Sequence, residues 1–166
     1  MIDIVLDSNY LVEFLIQYFD SGVANRGMGR FQSSTVFSED LARRLNQVMT
    51  TASEGISTLI IASTFALIEI ARKWDQIVQD RFTIQQLHTF TYQYPEWFSL
   101  APVDEDLIPF FIDVPSIVFV NSKAIPIEWT DAIHLATVIS RGPDATLATS
   151  DSRAKKVLEL QGRPIL

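Results

Sequence analysis

The sequence predicts one α/β domain over residues 1–166, with a mainly parallel central sheet of four or five strands flanked by helices. Short apolar, β-branched segments alternate along the chain with segments whose apolar residues recur at helical spacing. This alternation is typical of parallel strands joined by helical crossovers. A chain of 166 residues, 48% of them hydrophobic, is long enough to bury one sizeable core.

The amino-terminal half is predicted to contain two strands and three helices. The apolar run from residue 58 to residue 71 is too long for one strand, so we divide it into a strand and a helix. The predicted elements, in order, are a strand over 2–6, a helix from residue 10, a loop over 20–38 with three of the six glycines, a helix over 38–52, a strand over 58–63 and a helix that carries Glu69.

The carboxyl-terminal half continues the alternation. Gly142 and Pro143 end one of its helices, and three prolines break up the segment 109–127. The predicted elements, in order, are a helix over 74–96, a strand over 98–103, a helix capped by the acidic residues 104–106, the broken segment, a helix over 130–140, a strand over 145–148, a helix over 152–160 and a tail over 163–166 that could form an edge strand.

Composition excludes several classes of protein. The chain has 13 basic and 20 acidic residues, a net charge of −7 without a basic tail, which argues against non-specific wrapping of nucleic acid. The absence of cysteine excludes disulfides, thiolate zinc sites and a cysteine nucleophile. No apolar run approaches the roughly 20 residues that span a bilayer, and the first residues do not resemble a secretory signal. We therefore expect a soluble cytoplasmic protein without a membrane partner.

Three aspartates are predicted to lie where strands end and helices begin: Asp7, Asp131 and Asp151. In α/β folds, ligand sites lie outside the carboxyl ends of the strands. A helix N-terminus favours an ionised carboxylate by roughly 0.3 to 1 kcal/mol, so these groups are suited to act as anionic ligands. Helix capping is the alternative explanation for each of them.

Glu69 is the only charged residue between Leu59 and Ala71. A carboxylate in such an apolar run needs a cation or strong hydrogen bonds if it is buried. Alternatively, it lies on a solvated stripe or pairs with Arg72 or Lys73. If the four carboxylates converge, a hard divalent cation such as Mg²⁺ or Mn²⁺ is needed to offset their repulsion.

Four motifs in this order resemble those of the PIN domain family: Asp7-Ser8-Asn9 after the first strand, Glu69 in an apolar helix, Asp131-Ala132-Ile133-His134-Leu135-Ala136 opening a later helix, and Thr149-Ser150-Asp151 after the last main strand. The family's acidic positions are matched by Asp7, Glu69, Asp131 and Asp151, and its polar supporting positions by Asn9 and Thr149. The resemblance implies a three-layer fold, an acidic pocket that binds Mg²⁺ or Mn²⁺, and the ribonuclease activity of the toxins in VapBC toxin–antitoxin pairs. It also implies an RNA substrate, a homodimer and an antitoxin partner.

The expected chemistry is hydrolysis of a phosphodiester assisted by a metal ion held by Asp7 and by Asp131 or Asp151. His134 is either a general base or, as we favour, a packed histidine. Candidates for phosphate contacts are the basic residues Arg26, Arg30, Arg43, Arg44, Arg72, Lys73, Arg153, Lys155 and Lys156. The alternative of a different class is a catalytically inactive PIN-like scaffold that binds protein or RNA.

Overall fold

The computed structural model describes residues 3–20, 29–52 and 58–166. Its elements are β1 (Ile4–Leu6), α1 (Ser8–Asp20), α2 (Glu39–Ala52), β2 (Ile60–Ser63), α3 (Thr64–Arg72), α4 (Trp74–Ile77), α5 (Ile84–Tyr92), β3 (Phe98–Ala101), a 3-10 helix (Glu105–Asp113), β4 (Ile117–Val120), β5 (Lys123–Pro126), α6 (Trp129–Ser140), β6 (Thr146–Ala148) and α7 (Ser152–Leu160). The predicted α/β class is confirmed. Of the loop predicted over 20–38, residues 21–28 lie outside the described residues and residues 29–38 form no helix or strand, but Asp20 belongs to α1.

The central sheet has four parallel strands in the order β3-β2-β1-β6. Val5 of β1 is paired with Ile61 of β2 and with Leu147 of β6. Because all four strands run the same way, their carboxyl ends lie along one edge. Ile165 of the tail adds one parallel bridge to Leu147, which partly confirms the predicted edge strand.

Helices cover both faces of the sheet. Ile4 and Leu6 of β1 belong to a core cluster with residues of α1, α2 and α5, whereas Val5 belongs to a second cluster with residues of α6 and α7. Successive residues of a strand point to opposite faces, so both faces of β1 are buried. The arrangement is compatible with the predicted three layers. None of the described helices is both long and apolar enough to cross a bilayer.

The predicted single helix over 74–96 is wrong. The chain forms α4 and α5, and between them Gln79 and Asp80 adopt positive φ angles of 48° and 59°. A right-handed helix cannot continue through two such residues. Thr83 then caps α5 in a reciprocal arrangement with Gln86.

The predicted break over 109–127 is also partly wrong. The 3-10 helix, capped by Asp104 as expected, includes Pro109 and extends to Asp113. After it, β4 and β5 form an antiparallel hairpin. Asn121 and Ser122 in its turn have φ angles of 49° and 63°, as a two-residue hairpin of type I′ requires. The strand predicted over 98–103 ends at Ala101 because Pro102 follows and cannot donate to the ladder.

Candidate functional site

The carboxyl edge of the sheet opens into a cavity of about 490 Å³. All four carboxylates singled out in the sequence line it. The complete lining is Asp7, Ser8, Asn9, Glu69, Lys73, Ile77, Glu128, Thr130, Asp131, His134, Ser150, Asp151 and Ser152. The sheet topology therefore gathers side chains that are up to 144 positions apart in the sequence, from Asp7 to Asp151.

Asp7 is held where β1 ends and α1 begins. Its carboxylate accepts a hydrogen bond from the backbone N–H of Tyr10 at 2.9 Å, so it also caps the helix. Burial raises the pKa of Asp7, and a hydrogen bond with the Thr149 side chain partly opposes this rise. The Thr149 hydroxyl also accepts from the backbone N–H of Asp151 at 3.0 Å. Thr149 thus connects two of the carboxylates through hydrogen bonds.

Glu69 is largely buried, with 16% of its side chain exposed, so the solvated-stripe explanation is wrong. Its Oε2 accepts a hydrogen bond from the Ser8 hydroxyl and lies 3.4 Å from His134 Nε2. These interactions, with that of His134 the largest, lower the pKa of Glu69. His134 is buried and packed, and its Nδ1 has no hydrogen-bond partner among the described residues.

Asp151 and Asp131 face each other across one guanidinium group. Asp151 caps α7 by accepting from the backbone N–H of Arg153 at 2.7 Å and of Ala154 at 3.2 Å. The Arg153 side chain folds back so that its Nη2 lies 2.7 Å from Asp151 Oδ2 and 2.9 Å from Asp131 Oδ2. Its Nη1 lies 3.1 Å from Glu128 Oε1.

This guanidinium affects the two aspartates differently. Hydrogen bonds from Arg153 lower the pKa of Asp151. Burial, followed by the charge of Asp151, raises the pKa of Asp131 despite the nearby Arg153. The contact with Asp131 is an ion pair without the alignment of a hydrogen bond, and the buried Asp131 Oδ2 accepts none within the described part of the chain. Asp131 Oδ2 is therefore held by the charge of Arg153 and not by a hydrogen bond.

The other basic candidates differ in position. Lys73 lines the cavity. Arg43 and Arg44 both pair with Asp40 on α2, at the surface, while Lys156 pairs with Glu159 at 2.7 Å. Arg26 lies outside the described residues. Of the predicted phosphate contacts, Arg153 is thus paired with carboxylates of the site, and Lys73 lines the cavity beside them.

The type of donor fits Mg²⁺ or Mn²⁺, since Asp7, Glu69, Asp131 and Asp151 offer only hard oxygen ligands. Asp131 Oδ2, which accepts no hydrogen bond from the described residues, is consistent with such an ion. However, over residues 3–20, 29–52 and 58–166 no three His, Cys, Asp or Glu side chains are gathered closely enough to form a metal site. The carboxylates share a cavity, and two of them are paired with a guanidinium.

Five contacts at the site were not predicted. Two are made to Glu69, by Ser8 and His134, and three are made by Arg153, to Glu128, Asp131 and Asp151. Ser8 is part of the polar trio after β1, which could have indicated it. Arg153 follows Asp151 by two residues and was predicted only as a phosphate contact.

The chain matches no protein-family model, no characterised protein and no solved structure. The resemblance to the PIN family therefore depends on the four motifs and stays a prediction.

Proposed function

We propose that this protein is a Mg²⁺- or Mn²⁺-dependent endoribonuclease that hydrolyses RNA phosphodiesters in the acidic cavity, and that it is the cytoplasmic toxin of a VapBC-type pair. The supporting observation is that Asp7, Glu69, Asp131 and Asp151 line one cavity at the carboxyl edge of a parallel sheet. Carboxylates gathered in this way from four separate elements are typical of sites that bind divalent ions and phosphate groups.

In this proposal, Asp7, Asp131 and Asp151 hold the metal, with Glu69 as a further ligand. A bound ion lowers the pKa of a water molecule and offsets charge on the phosphate. Thr149 and the N–H of Tyr10 orient Asp7, while Ser8 and His134 keep Glu69 ionised and fixed in position. Lys73, on the wall of the same cavity, is placed to contact a phosphate oxygen.

A second cavity of about 470 Å³ adjoins the first and supplies room for the rest of the substrate. The two share Asn9, Ile77 and Ser150 in their linings. The second cavity adds Arg81 and Gln76 as donors beside the apolar surface of α1. A lining of both polar and apolar side chains suits a nucleotide with an unstacked base. We therefore propose single-stranded or looped RNA as the substrate, bound across both cavities.

The decisive experiment measures cleavage of single-stranded RNA in Mn²⁺ by the wild-type chain and by D7N and D131N. We expect wild-type cleavage, a loss of at least 100-fold in each variant, and unchanged circular dichroism. D144N is the matched control, because Asp144 is exposed and precedes β6 at the opposite edge of the sheet. Equal cleavage by D7N, D131N and wild type would contradict the proposal.

The pairing of Arg153 with both Asp131 and Asp151 favours a second candidate, a catalytically inactive PIN-like scaffold that binds protein or RNA. In that case the guanidinium replaces the metal permanently. RNA binding without Mn²⁺-dependent cleavage, unaltered by D131N, is the result expected of the scaffold. The homodimer and the antitoxin are also proposals, to be tested by the mass of the purified chain and by co-purification with the product of a neighbouring reading frame.

A further inference from the structure

Arg153 differs from the other cations of the site because its guanidinium contacts three carboxylates at once. Two of its nitrogens reach Asp131, Asp151 and Glu128 at 2.9, 2.7 and 3.1 Å. The side chain is only 22% exposed. An arginine that serves only to contact phosphate is expected to extend toward solvent. The Arg153 side chain instead folds back onto Asp151 at the N-terminus of α7.

The two aspartates need a cation between them. Oδ2 of Asp131 and Oδ2 of Asp151 both contact Nη2 of Arg153, so two negatively charged oxygens share one cationic group. Without that cation, the two carboxylates would repel each other in a partly buried environment. A planar guanidinium is suited to this because it stays charged and donates in several directions.

The same two oxygens are those proposed to hold a divalent ion. Mg²⁺ binds its oxygens at about 2.0–2.1 Å. A guanidinium nitrogen that lies 2.9 Å from Asp131 Oδ2 and 2.7 Å from Asp151 Oδ2 occupies the space that such an ion needs. Arginine and metal cannot occupy this position together.

We propose that Arg153 is an intramolecular cation that holds Asp131 and Asp151 in the metal-free chain, and that a divalent ion must displace it in order to bind. This inference rests on the proposed function for its metal. Arg153 is thus a positioning residue: it keeps the two carboxylates in one place and reduces the apparent affinity for the ion.

The test is titration calorimetry of Mn²⁺ into the metal-stripped chain of 166 residues, for wild type and for Arg153→Met. Methionine keeps much of the aliphatic stem and removes the charge. We expect R153M to bind Mn²⁺ at least 10-fold more tightly than wild type. We also expect a lower Tm than wild type in EDTA, and a larger rise in Tm on adding Mn²⁺.

Lys156→Met is the matched control, since it removes a cation and an ion pair from the same helix at the surface. Its Mn²⁺ affinity should equal that of wild type. Arg153→Lys provides a second variant if R153M does not fold. A lysine cannot span both carboxylates with a fork, so R153K is expected to bind Mn²⁺ with an affinity between those of wild type and R153M.

Equal or weaker Mn²⁺ binding by folded R153M or R153K, while wild type binds, would overturn the inference and leave the nuclease proposal standing. Tighter binding without RNA cleavage would support the inference and contradict the nuclease. If neither wild type nor the variants bind Mn²⁺, both are overturned.

Discussion

At the residue scale, burial of the ionised Asp7 carboxylate is expected to lower the stability of the folded chain. Burial raises its pKa. A carboxyl group whose folded pKa is above its unfolded value is destabilising when ionised, and this cost disappears as pH falls through the folded pKa. We expect D7N to raise Tm in EDTA at pH 7 by about 2–4 °C, which corresponds to ~1 kcal/mol for a chain of this length. Asparagine remains a good helix cap, so α1 should be unaffected.

Calorimetry at pH 7 and at pH 4 checks this prediction, with D144N as the exposed control. The difference between D7N and wild type should shrink at the lower pH, because wild-type Asp7 is then increasingly protonated. A lower Tm for D7N at pH 7 would mean that the hydrogen bonds from Tyr10 and Thr149 outweigh the burial of the charge.

The sequence predicts which residues lie at the site only where the topology of the sheet determines their position. Parallel strands end at one edge, so residues after β1 and β6 were expected at the same edge, while the pairing of these two strands was not predicted. The side-chain partners were not predictable in this way. Whether Arg153 points to solvent or to Asp131 depends on the spacing between α6 and α7, which the sequence pattern does not reveal. The metal-binding and catalytic roles of these residues stay predictions.

At the scale of elements, the start of α5 is fixed by a pair of reciprocal hydrogen bonds. The Thr83 hydroxyl accepts from the backbone N–H of Gln86 at 3.1 Å, and the Gln86 side chain accepts from the backbone N–H of Thr83 at 2.8 Å. We expect Thr83→Ala to lower the free energy of unfolding by about 1 kcal/mol. Urea denaturation measures this. Thr89→Ala, at an exposed position of the same helix, is the matched control, and an equal loss in both would contradict a capping role.

The same cap explains one error of the fold prediction. The spacing of apolar residues predicts a single helix from residue 74 to residue 96. Thr83 and Gln86, however, form the Thr-x-x-Gln pattern of a helix start. The hairpin was not predicted because the three prolines of the segment 109–127 indicate breaks in regular structure. Its turn depends on Asn121, a residue type that tolerates a positive φ. The strands β1, β2 and β6 were predictable because they are buried on both faces and therefore read as continuous apolar runs.

At the scale of the whole molecule, the net charge of −7 limits how the proposed RNA substrate can bind. The four site carboxylates contribute four of the negative charges, and bound divalent ions would offset them. Among the described residues, Lys73 lines the first cavity and Arg81 the second. Affinity must therefore depend on shape and on bound metal more than on a basic surface.

This arrangement predicts a shallow salt dependence. Two phosphate contacts give a slope of about −1.4 for log K against log[salt] on single-stranded RNA. Fluorescence anisotropy in Mn²⁺, in the D131N background so that the RNA stays intact, measures this slope. Lys73→Ala should reduce its magnitude by about 0.7, whereas Lys123→Ala, at an exposed position of β5, should leave it unchanged. A slope of about −3 or steeper, unaffected by K73A, would place the RNA on another surface, because the cations of these two cavities are too few to release that many counterions.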